Sequence, residues 1–499
     1  MTREKWALLV VLLCGLLLRV YSLGTESLWV DEGYQVSIVT ASFAEMMNDL
    51  LYCDNHPPLY AFILRLWVAL FGSSEVAIRF PSVIFGTLSI FIIYRIGAVL
   101  FDEYVGIVAA LIVAFSEFQI HYSQEARSLA LLGLLSLLSY YYFIIYLKQR
   151  TWLTSVCYII YTSLLMYTHI YGIFLIFSQN IIMSTISPMA DKDGNPSLKH
   201  WILLQGILCV LFIPWAHVMV RQVIRVQSGL WIPQPSFVTI LSSLVQFSGS
   251  ILMFLFLFLL TSFALLQKWK NGEKFQWKVL FNSTEKYNHS LYITSVSKII
   301  LLLWLFFPII FPFLISQVTT PIYRTRYIIG SAFAFYLFSA KSIKYIRHNK
   351  YIIRAFTVCF IVISFIDIFG YYSNINKERW RDLVYYIDTN AKTGDVIIFT
   401  NSYSILTFNY YSKRHDYVKK SFIDMKNKSE YDIVTELNSM IKGHNRIWVV
   451  DRNTTSYYQL IIKKLEDNFI LLLKNNYSSI TYTSHKKYTP IRSLLFVRS

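Results

Sequence analysis

Apolar stretches of membrane-crossing length recur along most of this chain, separated by short polar turns. A helix that crosses a bilayer needs about 20 apolar residues. Eleven stretches meet that pattern: 4–22, 79–101, 104–121, 128–147, 152–168, 171–188, 200–220, 243–267, 298–315, 327–346 and 351–372. The segment Pro57–Phe71 is apolar but shorter and carries Arg65. It reads as an interfacial or re-entrant helix, not a span. Residues 23–78 then form one long loop, with a second interfacial helix over Tyr34–Leu51.

From residue 373 the pattern changes. Asp395–Thr400 and Arg446–Asp451 read as buried strands, and Glu430–Lys442 and Ser456–Asp467 as helices. That alternation predicts a small α/β domain over 373–499 behind a membrane domain over 1–372.

Composition agrees. The chain has 499 residues, of which 55% are hydrophobic and only 15% charged. Soluble domains carry nearer a quarter. A net charge of +17 would point to nucleic acid in a soluble chain. Here much of the excess lies in short loops, so it marks topology, or an affinity for anionic membrane lipids, and no nucleic-acid partner is expected. The basic loops contain Lys148 and Arg150, Lys192 and Lys199, Lys268 to Lys278, and Lys341 to Lys350. With an inner N-terminus, eleven spans place all four in the cytoplasm and residues 373–499 outside. The basic start at Arg3 and Lys5 has no small-residue cleavage site after it, so the first stretch is a retained helix. Four of the five cysteines lie in apolar segments and only Cys53 in a loop, which offers neither a disulfide framework nor metal-ligand spacing.

On that topology the outer loops share one polar set: Asp31, Glu32, Asp54 and His56; His121, Tyr122, Gln124, Glu125 and Arg127; His169 and Tyr171; Arg221, Arg225, Trp231 and Pro233; Arg324, Arg326 and Tyr327. Carboxylates serve as general bases, and arginine forks match phosphate oxygens. Each group also has a structural alternative. Asp31 and Glu32 suit the first turn of a helix, and the prolines after His56 suit a helix start. Glu125 and Arg127 fit a solvated pair. Arg324 and Arg326 fit headgroup contacts, and His169 a helix-end histidine. The shared side is the stronger signal.

In order, the runs Ser27-Leu-Trp-Val-Asp-Glu-Gly-Tyr34, His56-Pro-Pro-Leu-Tyr60, Arg79-Phe-Pro-Ser82, Tyr122-Ser-Gln-Glu-Ala-Arg127, Tyr167-Thr-His-Ile-Tyr171 and Tyr323-Arg-Thr-Arg-Tyr327 resemble landmarks of the GT-C membrane glycosyltransferases. The nearest group holds the protein O-mannosyltransferases and lipid A aminoarabinose transferases. The resemblance is sharp over 1–180 and looser to about 345. It implies a polytopic all-α membrane fold with a small C-terminal α/β domain. It also implies inverting transfer of a sugar from a polyprenyl-phosphate carrier to a protein, lipid or glycan acceptor on the outer face of a membrane, by its motifs a prokaryotic plasma membrane.

Carried over residue by residue, the resemblance makes Asp31 the base and Glu32 its neighbour. His56, Tyr122, Glu125, Arg127, His169, Tyr171, Arg324 and Arg326 become the donor-phosphate set. His56 stands where some relatives carry lysine. Glu125 stands where many carry an aspartate linked in some to a divalent cation. No cofactor is required by the pattern; were a cation bound, Asp31 and Glu125 are the candidate ligands. Two other readings stay open, a ligase or polymerase of lipid-linked glycans and a lipid or solute transporter. Transporters place ionisable groups near the midplane and show paired halves.

Overall fold

A computed structural model describes residues 3–187, 198–227, 232–270, 289–346, 349–422, 428–452, 457–477 and 491–498. Lys192, Trp231, Lys274, Lys278 and Arg347 lie outside them. The chain divides into two compact units. The first holds residues 1–21, 46–66 and 79–369, and the second holds 22–45, 67–78 and 370–499.

The first unit is helical. Its helices, in order, are α1 (Arg3–Val20), α5 (Glu75–Leu100), α6 (Glu103–Phe115), α7 (Glu117–Ser123), α8 (Leu129–Lys148), α9 (Trp152–Met166), α10 (Gly172–Ile186), α11 (Leu198–Gln227), α12 (Phe237–Ser248), α13 (Ile251–Lys270) and the helices His289–Val318, Ile329–Ile346 and Lys350–Ser373. Three more helices lie in the first loop: α2 (Val30–Thr40), α3 (Phe43–Tyr52) and α4 (Leu59–Phe71). All eleven expected apolar stretches are therefore helical. Among the described residues, five helices are long and apolar enough alone to cross a membrane, and up to seven if each of two bent pairs counts as one span. α9 and α10 have 15 residues each, or about 22 Å of rise, short of a hydrocarbon core of about 30 Å.

Both bends have local causes. α6 and α7 meet at 61°, where Ser116 leaves the helix and accepts from the Gln119 N–H at 3.4 Å. The carbonyls of Val113 and Ala114 lose their helical partners there. Arg19, buried in α1, donates to both at 3.0 and 3.2 Å, and to Ser123 Oγ at 3.1 Å. The charged residue that interrupts the first apolar stretch is thus the support of a broken helix. α12 and α13 turn by 91° at Gly249, whose φ of +100° favours glycine. The freed Phe247 carbonyl accepts from Tyr336 Oη at 2.7 Å.

Polar side chains also link the helices. Tyr158 Oη donates to Gln179 Oε1 at 2.9 Å, Gln179 Nε2 donates to Ser139 Oγ at 3.0 Å, and Ser139 pairs with Thr162 at 2.9 Å. Such bonds join α8, α9 and α10 where no hydrophobic force acts between helices.

The second unit is built on a five-stranded sheet of order β2-β1-β3-β5-β4: β1 (Val396–Phe399), β2 (Val418–Ser421), β3 (Arg446–Asp451), β4 (Phe469–Tyr477) and β5 (Ile491–Arg498). β2, β1 and β3 are parallel, and β5 and β4 complete the sheet antiparallel. β1 and β3 lie where the sequence puts strands. The helices Glu430–Ile441 and Tyr458–Glu466 match the expected ones to within two residues. Val396 and Ile398 face one apolar core, Ile397 and Phe399 the other, so β1 reads as a continuous apolar run.

Two features of the first loop differ from expectation. The single helix over 34–51 is two helices, because Ser42 starts a new one. Its Oγ accepts from the Glu45 N–H at 3.2 Å, and Glu45 accepts from the Ser42 N–H at 2.9 Å. That is a capping box, and Ser-x-x-Glu is its sequence signature. Residues 22–45 also group with the C-terminal residues, and Val30 enters the core beneath β1.

Candidate functional site

In the first unit, the loop before α4, the loop after α7, the turn between α9 and α10 and the segment before Ile329–Ile346 gather at one helix end. Asp54 and His56 lie in the first. The backbone N–H groups of Asn55 and His56 donate to Asp54 Oδ1 at 2.6 and 3.1 Å, and His56 Nδ1 approaches the same oxygen at 3.0 Å. α11 holds this loop from outside. Gln222 Nε2 donates to the Asp54 carbonyl at 3.2 Å. Arg225 donates to Asn55 Oδ1 at 2.8 Å and also to the carbonyls of Tyr52 and Asp54. Burial alone would raise the Asp54 carboxyl, but the charges of His56 and Arg127 outweigh it and hold it below its ordinary value. An ionised carboxylate only accepts, so His56 Nδ1 carries the hydrogen.

The turn between α9 and α10 supplies His169. Its ring lies 5.3 Å from that of His56, 5.5 Å from Tyr171 and 4.9 Å from Tyr327. Its Nδ1 accepts from the Tyr171 backbone N–H at 3.2 Å. The proton of the neutral ring is therefore on Nε2, and that N–H is buried with no hydrogen-bond partner among the described residues. Burial first, then the charges of His56, Arg326 and Arg127, hold His169 well below its ordinary range. It is a fixed, uncharged donor among cations.

The segment Thr325–Ile328 is a short 3-10 helix. Arg326 Nη2 donates to Tyr327 Oη at 3.0 Å, and the guanidinium stands 4.9 Å from that ring's centre. Tyr327 lies 5.2 Å from Tyr171, whose hydroxyl donates to the Ile322 carbonyl. Burial and the neighbouring Arg326 both disfavour the charged form of Arg324. Two half-buried arginines that repel each other create a place where an anion is favoured. Arg326 and Glu125 act electrostatically on Tyr122. Glu125 itself is fully buried, 3.3 Å from His121 Nε2 one helical turn earlier. Among the described residues no three His, Cys, Asp or Glu side chains converge as a ready-made metal site.

Six expected donor residues are thus linked by contacts or charge in one cluster: His56, Tyr122, Arg127, His169, Tyr171 and Arg326. Arg324 adjoins Arg326, and Glu125 borders the cluster through Tyr122. Lys148 and Lys341 sit elsewhere. Lys148 donates to the Val99 carbonyl, and Lys341 lies 4.7 Å from the Phe101 ring centre, both at the C-terminal end of α5. α8 starts beside the cluster and ends at Lys148, and its 20 residues give a length of about 30 Å.

Asp31 and Glu32 belong to the second unit, in the first turn of α2. Glu32 is fully buried. It accepts from the Trp29 N–H at 3.4 Å and pairs with Lys377 Nζ at 3.3 Å. Asp31 is half-buried. Glu378, beside Lys377, accepts from the Val30 N–H at 3.2 Å, from Trp380 Nε1 at 2.8 Å and from Arg452 at 2.7 Å. Sequence reasoning missed Lys377, Glu378 and Gln222; the adjacent charges of the first two, just past the last apolar helix, were the available signal.

The chain shares the GT-C fold of solved membrane proteins. Residues 55–219 match the sequence profile of the dolichyl-phosphate-mannose-protein mannosyltransferases, a range that contains His56, Tyr122, Glu125, Arg127, His169 and Tyr171 but not Asp54, Arg324, Arg326 or Tyr327. The fold is similar to that of ArnT from Cupriavidus metallidurans bound to undecaprenyl phosphate, with a TM-score of 0.57 at 10% identity over 99% of this chain and 98% of that one. It is similar to the oligosaccharyltransferase of Archaeoglobus fulgidus, with a TM-score of 0.58 at 12% identity over 97% of this chain and 75% of that one. The same archaeal enzyme, AglB, in complex with an inhibitory peptide and a dolichol-phosphate gives 0.54 at 12% identity over 94% and 72%. A further structure of it holds zinc and sulfate. No curated protein sequence matches the chain. The chain is an integral, multi-pass membrane protein.

Proposed function

We propose that the protein is an inverting glycosyltransferase that takes a sugar from a polyprenyl-phosphate carrier and passes it to an acceptor on the extracytoplasmic face. The observation that carries this reading is the buried His169 N–H, without an acceptor among the described residues and ringed by His56, Arg127 and Arg326. A buried donor with no partner is costly, and a phosphate oxygen would satisfy it.

The acceptor's hydroxyl or amine attacks the anomeric carbon from the face opposite the leaving group. Its proton passes to a base, a role the sequence resemblance gives to Asp31, with Glu32 holding the start of α2 through Lys377. The bond from the anomeric carbon to the phosphate oxygen breaks, and the polyprenyl phosphate departs with the electron pair. Its growing charge is met by Arg127, Arg324, Arg326 and the His169 N–H. Preorganised donors at the point where charge develops are usually the largest catalytic term. The separation of Lys148 and Lys341 from the cluster by the length of α8 supports an outer-face site, since basic ends stay in the cytoplasm. A transporter would hold its ionisable groups near mid-helix, whereas these stand in loops.

The test is a transfer assay with the purified protein and a panel of polyprenyl-phosphate sugars, read by mass. A product with inverted anomeric configuration that disappears in Asp31→Asn is the expected result. Absence of transfer from every carrier, or full turnover in that variant, would refute the reading or the assigned base respectively.

A further inference from the structure

The two histidines of the cluster, 5.3 Å apart, are wired in opposite ways. His169 takes a backbone N–H on Nδ1 and so keeps a hydrogen on Nε2 permanently. His56 gives its Nδ1 hydrogen to Asp54, so its neutral ring presents a lone pair on Nε2 and only its protonated ring presents a donor there. A lone pair repels a phosphate oxygen; an imidazolium N–H binds it. Histidine is the residue type whose charge changes within the physiological range.

We propose, resting on the phosphate reading above, that Asp54 is a positioning residue that makes His56 a proton-operated catch for the carrier's phosphate. Protonated His56 closes on phosphate, and loss of one proton turns the same nitrogen into a repelling acceptor that favours release. Its charged surroundings are Asp54 on its own loop, Arg127 after α7, His169 between α9 and α10, Arg326 before Ile329–Ile346, and Arg225 of α11, which clamps Asn55. A phosphate bound at Nε2 favours the charged ring over the neutral one. Phosphate binding therefore takes up a proton. Asp54 is also the acceptor for two backbone N–H groups of its loop, so a merely structural role must be separated from a positioning one.

The experiment measures binding of undecaprenyl phosphate to the full chain in lipid nanodiscs between about pH 6 and 9, above the phosphate's own titration near pH 6. Wild type should lose affinity, up to tenfold per pH unit over part of that range. His56→Lys, which keeps a charge but does not titrate there, should bind with a flat profile. Asp54→Asn keeps an acceptor for the loop but not the charge, and its fall in affinity should move about one unit toward acid. A wild-type slope retained in His56→Lys would overturn the proposal, as would an unmoved Asp54→Asn profile. Failure of wild type to bind at any pH would instead overturn the phosphate reading itself.

Discussion

Removing the Arg326 guanidinium is the sharpest probe of the cluster. Its charge acts on His169 and on Tyr122, and the side chain is braced by the Tyr327 hydroxyl at 3.0 Å, so little entropy remains to be lost when a phosphate arrives. A hydrogen bond to a charged group contributes about 1.5–3 kcal/mol, which is roughly a 10- to 150-fold change in affinity. His169 is uncharged, so His169→Phe removes only a neutral donor of about 1 kcal/mol, or roughly fivefold. The expected order is therefore fixed: Arg326→Ala weakens undecaprenyl phosphate binding by about one to two decades, and His169→Phe by less than one. Tyr327→Phe should fall between wild type and Arg326→Ala, because it frees the guanidinium without deleting it. Binding is measured in nanodiscs by native mass spectrometry, with undecaprenol as the control without phosphate. Equal affinity in wild type and Arg326→Ala, or an equal loss of undecaprenol binding, would refute the assignment.

Arg19→Met should unfold the bundle at a lower temperature by an amount corresponding to about 2–4 kcal/mol, since two carbonyls at the α6–α7 break lose their donor; an unchanged melting temperature in detergent would show that another group serves them. Gly33→Ala should destabilise the second unit by about 1–3 kcal/mol, because a Cβ there falls 2.1 Å from Thr407 Oγ1 and 2.9 Å from the Thr407 Cα; chemical denaturation followed through tryptophan fluorescence measures it. His169 is held well below its ordinary value of 6.5, so the folded state gains stability above that pH and loses it as pH falls through the depressed value. His169→Phe should remove that acid sensitivity in a pH series of melting curves. The exposed Cys53, in the loop before α4, and a cysteine placed at Lys344 should label from opposite sides of the membrane; labelling from one side would break the assigned topology.

Much of the helical architecture is legible in the sequence because apolar run length reports spanning helices directly. The breaks were not, since Ser116 and Gly249 lie inside apolar stretches and the bends depend on Arg19 and Tyr336 arriving from elsewhere in the chain. In the cluster, residue types and loop membership located His56, Arg127, His169 and Arg326. Their wiring could not be read, because it depends on which nitrogen of each histidine meets a carboxylate or a backbone N–H. Glu32 shows the opposite failure. Its sequence context groups it with Asp31, while burial against Lys377, 345 positions away, sets the two carboxylates in different surroundings. A long-range ion pair leaves no periodic trace in either segment.

The insertion of Val30 into the apolar layer beneath β1, with its N–H held by Glu378, ties the start of α2 to residues more than three hundred positions later. A shortened protein ending at 372 would keep most of its apolar helices yet lose the floor on which Asp31 is seated. Dissection by truncation would then report loss of the proposed transfer for a mechanical reason, and point substitutions within the intact chain are the informative route to the role of the C-terminal residues.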